Sequence, residues 1–419
     1  MGILKFNNKI NYIHNKDFKT IIIRIMFPYT EKKEELALNE LLCPLLSFTT
    51  KNYPTEDSLT FEKQKRYMLR GSIYRNSVGD GCCLCYEFLI PDNSCLKENH
   101  FEEQFELMEE IIYNPKVNNN EFNIDEFERE KTNLIHGLNS IDKNMRPYQH
   151  YRLINLVDDE GLLSQNLYNN RDLIDKVNTK NLYKHYKNII TNTPFIFVFG
   201  NFNEDEMNKL FNKYIIKSNE KDIIIDCNYD NYLTKYKDNY DYYEEDSDFR
   251  DSSLSIVYKI RDFCKDDYKY LIMLKLILTA LPTRVLDNKL RNDNDLVYGS
   301  RCNILKHYGL FEITTFINKN NKDIVFNKIL EIFEDLKDEK YVDELIKKVL
   351  DFTRVSLIKQ KDLKYNIFND YVFSYLNIEF KQEELYKLSL DMKAKDIKDF
   401  LDRFVIDTVY FLKEGDHND

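Results

Sequence analysis

The stretch KNLYKHYKNIITNTPFIFVFG, residues 180–200, decides the fold, because a second version of it, KDIKDFLDRFVIDTVYFLKEG, recurs at residues 395–415. When Lys180 is laid on Lys395, Ile189 and Ile190 meet Phe404 and Val405 without a gap. Phe195, Ile196 and Phe197 then meet Tyr410, Phe411 and Leu412, and Gly200 meets Gly415. Each copy reads as an amphipathic helix, a short turn and a strand ending in Gly. Helix–strand pairs are common, but an ungapped match that shares its final Gly points to a duplicated domain.

Upstream of the first copy, Ile21-Ile-Ile-Arg-Ile-Met-Phe27 reads as a buried strand and residues 81–90 as another. Spaced apolar residues predict helices over 101–113, stopped by Pro115, and over 124–138. Residues 226–250 are rich in Asp, Glu, Tyr and Asn with little periodicity, and read as an acidic, solvated linker. The second half runs strand 253–261, helices 267–281 and 283–291, strands 296–303 and 309–317, then helices from 323 onward. The expectation is an α+β protein of two homologous domains, residues 1–225 and 251–419, each a mostly antiparallel sheet flanked by helices.

A chain of 419 residues suits two cores of ordinary size. Its formal charge of −11 comes from interspersed acids and bases. No stretch concentrates Lys and Arg as a phosphate backbone requires, which excludes nucleic acid as a partner. No secretory pattern opens the sequence, and the longest apolar run, 270–282, is broken by Lys275 and too short to span a bilayer. A cytoplasmic protein with no membrane partner is expected. Of the eight cysteines, Cys82 and Cys85 have CxxC spacing, but no second pair completes a four-cysteine zinc site. Buried free thiols are the expected state. His100-Phe-Glu-Glu103-Gln104 has the spacing of a zinc-binding helix, yet a neutral amide stands where the second His belongs, so ordinary packing is the reading preferred.

Several segments in order resemble the pitrilysin/insulinase peptidases, especially the short-chain members that work as pairs of subunits. The sharpest is Thr283-Arg-Val-Leu-Asp-Asn-Lys-Leu-Arg291-Asn-Asp-Asn-Asp-Leu-Val-Tyr298, similar to that family's second-domain motif of a helix ending in Leu-Arg and a strand beginning Leu-x-Tyr. Glu110-Ile-Ile-Tyr-Asn-Pro115 followed by Phe127-Glu-Arg-Glu-Lys131, and Phe195-Ile-Phe-Val-Phe-Gly200, resemble first-domain segments. The departures matter as much. Zinc-bearing members carry an inverted His-x-x-Glu-His on a first-domain helix, with a later Glu as third ligand. Here Glu40-Leu-Leu-Cys43-Pro44 falls in that place, and the later ligand position falls near His136-Gly137. No zinc set remains, and Pro44 is expected to disturb the helix. Asn39 to Leu46 with Lys51-Asn-Tyr-Pro54 instead resembles the metal-free partner subunits.

The resemblance implies a fold like that of metallopeptidase subunits, two domains closing as a clamshell, and a homologous partner chain that holds the zinc. It implies that Arg291 and Tyr298 grip the substrate backbone near the cut bond, with no cofactor in this chain, which is inactive alone. The residue types suit that role: a permanently charged fork of donors and a phenolic O–H. The substrate implied is a peptide, including a precursor or leader peptide. Lys259, Arg261, Arg284 and Arg301 add positive charge to the second half and are read first as surface residues. Two rivals stand beside this reading: a structural or assembly subunit with no part in proteolysis, and a standalone hydrolase with an unrecognised metal site.

Overall fold

The computed structural model describes residues 3–6, 10–79, 81–159, 161–217, 223–226, 236–281, 283–305, 308–376 and 381–415. The chain forms two compact units: residues 1–139, 165–227 and 375–378 make the first, and residues 140–164, 228–374 and 379–419 the second.

In chain order the first unit holds β1 (Ile3–Phe6), β2 (Ile10–His14), β3 (Thr20–Thr30), β4 (Arg70–Val78), β5 (Gly81–Pro91), β6 (Val117–Asn118), β7 (Glu121–Phe122), β8 (Phe195–Gly200) and β9 (Ile223–Asp226). Its main sheet has the order β2-β8-β3-β5-β4, while β1 pairs with β9 and β6 with β7. The second unit holds β10 (Asp241–Asp246), β11 (Ser252–Ile260), β12 (Val297–Leu305), β13 (Leu310–Ile317) and β14 (Phe404–Lys413), in the order β10-β14-β11-β13-β12. In both sheets the first pair is parallel and the other three are antiparallel.

The two sheets therefore share one topology. The repeated sequence supplies the same strand in each, β8 and β14. The register agrees as well: Met26 pairs with Phe195 and Cys85, and Ser255 pairs with Tyr410 and Thr314. Phe195 and Tyr410 are the residues that the sequence repeat superposes. The helix of each copy is present, at Thr179–Ile190 and Ala394–Leu401.

Continuous apolar runs make central strands covered on both faces. In β3, Ile21, Ile22, Ile23, Ile25, Met26 and Phe27 have no solvent exposure. In the second unit Ile256, Ile313 and Phe411 face one core with the helices Tyr268–Thr279, Lys322–Asp335 and Glu339–Gln360. Each such side chain contributes about 1.5–3 kcal/mol when fully buried. On the opposite face of that sheet, Leu153 of the helix Met145–Val157 packs against Val257, Tyr410 and Leu412.

Three expectations change. Residues 140–164 cluster with the second unit although they precede the end of the first. The acidic segment 226–250 is not simply a linker, because β10 lies within it and pairs with β14. Its Glu245 is held by Arg152, at 2.9 Å, and by the Tyr410 hydroxyl, at 3.1 Å, so an acidic strand docks without an unpaired charge. Residues 227–235 of that segment lie outside the described residues. Finally, the helix Leu36–Ser47 runs through Pro44. Leu41, Leu42, Leu45 and Leu46 are all buried, and packing on both sides of Pro44 offsets the lost backbone bond. Among the described residues no helix is long and apolar enough to cross a membrane.

Candidate functional site

Arg291 and Tyr298 sit on two elements tied to each other. After Val285–Asp287 the chain widens into the turn Asn288–Asn292, closed by Asp293 N–H donating to Asn288 C=O at 2.9 Å. Asp295 N–H donates to Arg291 C=O and Leu296 N–H to Leu290 C=O, each at 2.8 Å. Asp295 takes a left-handed φ of +50°, which Asp tolerates better than most residues and which turns the chain into β12. The Ser300 hydroxyl of β12 donates to Asp287 at 2.7 Å, pinning the strand to the preceding helix.

Pairing with β13 passes from Val297–Ile317 to Gly299–Phe316, so Tyr298 occupies a bulge. Its side chain is 57% exposed. Arg291 is exposed too, and neither side chain has a hydrogen-bond or ion-pair partner among the described residues. A bulge re-aims a side chain out of the pleat, and here it leaves the phenol exposed, while Arg291 is exposed on the well-tied turn before the strand.

The place of the zinc motif is built differently. Glu40 receives Arg75 Nη2 at 2.7 Å, and the same guanidinium pairs with Glu31. Asn39 donates to Glu31 at 2.8 Å and accepts from His185 Nε2 at 2.7 Å. Burial pushes the Cys43 thiol up to about 12, so it stays protonated, and Pro44 offers no ligand atom. A guanidinium thus already occupies the carboxylates at this helix. Among the described residues no group of three or more His, Cys, Asp or Glu side chains could hold a metal ion.

The other motifs resolve structurally. His100 bonds the Tyr67 hydroxyl at 2.7 Å, and the buried Gln104 amide donates to Arg66 C=O at 3.2 Å. Cys82 and Cys85 lie three apart on β5 and so point to opposite faces, which rules out joint chelation. Burial pushes the Cys82 thiol up to about 11. Cys95 and Cys264 are exposed, against the expectation of burial, and Cys227 lies outside the described residues. Glu110, from the Asn-Pro segment, is buried and accepts from Asn52 N–H at 2.8 Å and Asn114 Nδ2 at 2.9 Å, fixing the turn that follows the helix Leu36–Ser47.

The second-half basic residues divide. Lys259 is buried and pairs with Asp407 at 3.7 Å, contrary to a surface reading. Arg261 and Arg284 are exposed. Arg301 enters a network across the sheet face: its Nη2 donates to Gln149 Oε1 at 2.6 Å, and Gln149 Nε2 donates to Ser255 at 2.6 Å. Ser255 and Thr314 hydroxyls lie 2.9 Å apart, and Thr314 donates to the buried Glu312 at 2.6 Å. Glu312 lies 3.7 Å from Arg301 and 3.9 Å from His150 Nδ1. Burial holds the His150 ring below the ordinary imidazole range, with Glu312 opposing and Arg301 reinforcing that shift.

Residues 176–351, which include Arg291 and Tyr298, match the family model described as the peptidase M16 inactive domain. That stretch is similar to M16 inactive domains. M16 is the pitrilysin/insulinase family, so the resemblance drawn from the motifs holds, and its match is to the inactive domain type. No curated protein matches the chain. Among solved structures, a conserved protein from Enterococcus faecalis V583 is 19% identical with a TM-score of 0.88, each chain covering 100% of the other. A protease from Helicobacter pylori is 14% identical, with 98% of each chain covered and a TM-score of 0.77. The peptidase M16 inactive domain from Pseudomonas fluorescens is 10% identical, with 99% of each chain covered and a TM-score of 0.73. At these identities the likeness concerns the α+β fold with its two sheet-containing halves.

Sequence reading alone missed Arg146 and Gln149, which meet β12 and β13 only through tertiary packing. One signal was present: Gln149 lies on the apolar stripe Met145, Leu153 and Leu156, where a polar residue must find a buried partner.

Proposed function

We propose that this chain is the zinc-lacking subunit of a two-chain zinc peptidase of the cytoplasm. A homologous partner holds the metal and activates water, and this chain contributes Arg291 and Tyr298. The observation that carries the reading is their state: both side chains are exposed and unengaged among the described residues, on a turn and a bulge whose backbone is fixed by hydrogen bonds. Side chains held ready in this way can donate to a scissile carbonyl as negative charge develops. Such donors are worth about 2–4 kcal/mol in the transition state. Tyr298 serves as donor through its O–H, and Arg291 needs no proton transfer because its charge is permanent.

Three further facts support it. The match to an M16 inactive domain spans both residues. The zinc-motif position carries an internal guanidinium on Glu40. The free thiols at Cys43, Cys82, Cys83, Cys85 and Cys302 suit a reducing compartment. The substrate is a peptide or an unfolded segment such as a leader peptide.

The test is purification of the chain with its native partner. A partner bearing His-x-x-Glu-His, together with zinc-dependent peptide cleavage by the complex and none by this chain alone, is expected. Cleavage by the purified chain alone would overturn the proposal, and a complex without peptidase activity would favour the scaffold rival.

A further inference from the structure

Two guanidinium groups converge on one ring beside Tyr298. Arg146, on the helix Met145–Val157, lies 5.0 Å from the Phe316 ring centre, and Arg301 of β12 lies 5.7 Å from it. Gly299 pairs directly with Phe316, so both residues and Arg301, two positions along, share one face of the sheet. A Cβ placed on Gly299 would meet nothing within 4 Å. The result is a notch, one residue from Tyr298, with Gly299 as its opening, Phe316 as its floor and the two arginines as its walls.

The charge balance of this notch is incomplete. Glu312 stands 3.7 Å from Arg301 and offsets part of its charge, while Arg146 has no ion pair among the described residues. Arg301 spends Nη2 on Gln149, and its Nη1 has no acceptor among the described residues. Gln149 is itself fully buried and bonded to Ser255, so Arg301 is aimed by the network and does not swing freely. Two cations over one aromatic ring repel each other, and an anion between them removes that repulsion while accepting the idle donors. The chain as a whole carries a formal charge of −11, so this positive notch stands against the general field and is a local feature.

We infer that the notch over Gly299, walled by Arg146 and Arg301, is a specificity subsite that takes a substrate carboxylate, the side chain of a Glu or Asp close to the bond held by Arg291 and Tyr298. This rests on the grip proposed for that pair and adds the substrate class: peptides with an acidic residue near the cut.

The test is fluorescence anisotropy of the full chain with three labelled peptides of one neutral sequence, carrying Glu, Gln or Lys at a single central position. The expected order is Glu tighter than Gln by at least about fivefold, roughly the worth of one exposed charge-assisted contact, with Lys weakest and the preference shrinking in high salt. Arg146→Gln, an exposed position, removes most of the Glu preference. Gly299→Val fills the notch and weakens the Glu peptide most. Arg291→Ala weakens the Glu and Gln peptides alike and leaves their ratio intact. Equal binding of Glu and Gln peptides that still depends on Arg291 would overturn the subsite and leave the grip standing. A Glu preference that survives Arg146→Gln and Gly299→Val would overturn it too. If no peptide binds, or Arg291→Ala changes nothing, the subsite and the grip fall together.

Discussion

Acid should weaken the first unit through one histidine. His185 is 6% exposed, and its Nε2 donates to Asn39, whose own amide is oriented by Glu31. Burial lowers the imidazole from 6.5 to about 4. The nearest carboxylate, Glu35, lies 3.9 Å from Nδ1 and is itself pushed up by burial, so it offers little to a protonated ring. A base whose folded pKa is depressed favours the folded state while neutral. Its contribution is complete above about pH 6.5 and is lost as pH falls, because the unfolded chain binds the proton first. Linkage with those two values gives a loss of about 0.8 kcal/mol at pH 6, about 2 kcal/mol at pH 5 and about 3 kcal/mol at pH 4. Other groups titrate in the same range, so the comparison is with His185→Gln, whose amide can keep the bond to Asn39 without titrating. The chain has no Trp, so urea unfolding is followed by far-UV circular dichroism at each pH. The wild type should lose stability relative to the variant by the amounts above. Parallel loss in the two proteins would refute the argument.

Further predictions concern the core and the thiols. Arg24 is 4% exposed and bonds Glu87 at 2.8 Å, so Arg24→Met should cost about 3–5 kcal/mol in urea unfolding. Arg24→Met with Glu87→Leu should recover most of that loss, because the stranded charge is gone. Glu110→Ala strands Asn52 N–H and should cost about 2–3 kcal/mol by the same measure. Native alkylation followed by peptide mass mapping should label Cys95 first and leave Cys82, Cys83, Cys85 and Cys302 protected until denaturant is added.

Much of the fold was readable in the sequence because its strands are largely apolar: 21–27 and 81–90, each interrupted by one charge, Arg24 and Glu87, and 195–200 declare themselves without tertiary help. The duplication was readable for the same reason, since β8 and β14 are interior strands, each paired on both sides, whose side chains the core dictates. What escaped were elements defined by pairing alone. β4 is half-exposed and β10 is acidic, and both become strands by lying beside β5 and β14. The helix Met145–Val157 precedes the end of the first unit in sequence and packs in the second, a placement set by Leu153 and Gln149 meeting the far sheet face. At the site, Arg291 and Tyr298 were identified from their motif, but the bulge that frees Tyr298 depends on register with β13. Local chemistry has Pro44 disturbing its helix, yet the helix Leu36–Ser47 runs through it because packing prevails.

The most direct measurement is single-turnover peptide cleavage by the reconstituted two-chain complex, comparing wild type with Arg291→Ala and Tyr298→Phe. With partner affinity and zinc content unchanged, the cleavage rate should fall about 10²–10³-fold for Arg291→Ala and less steeply for Tyr298→Phe. Equal rates for all three complexes would contradict the division of labour proposed for this chain.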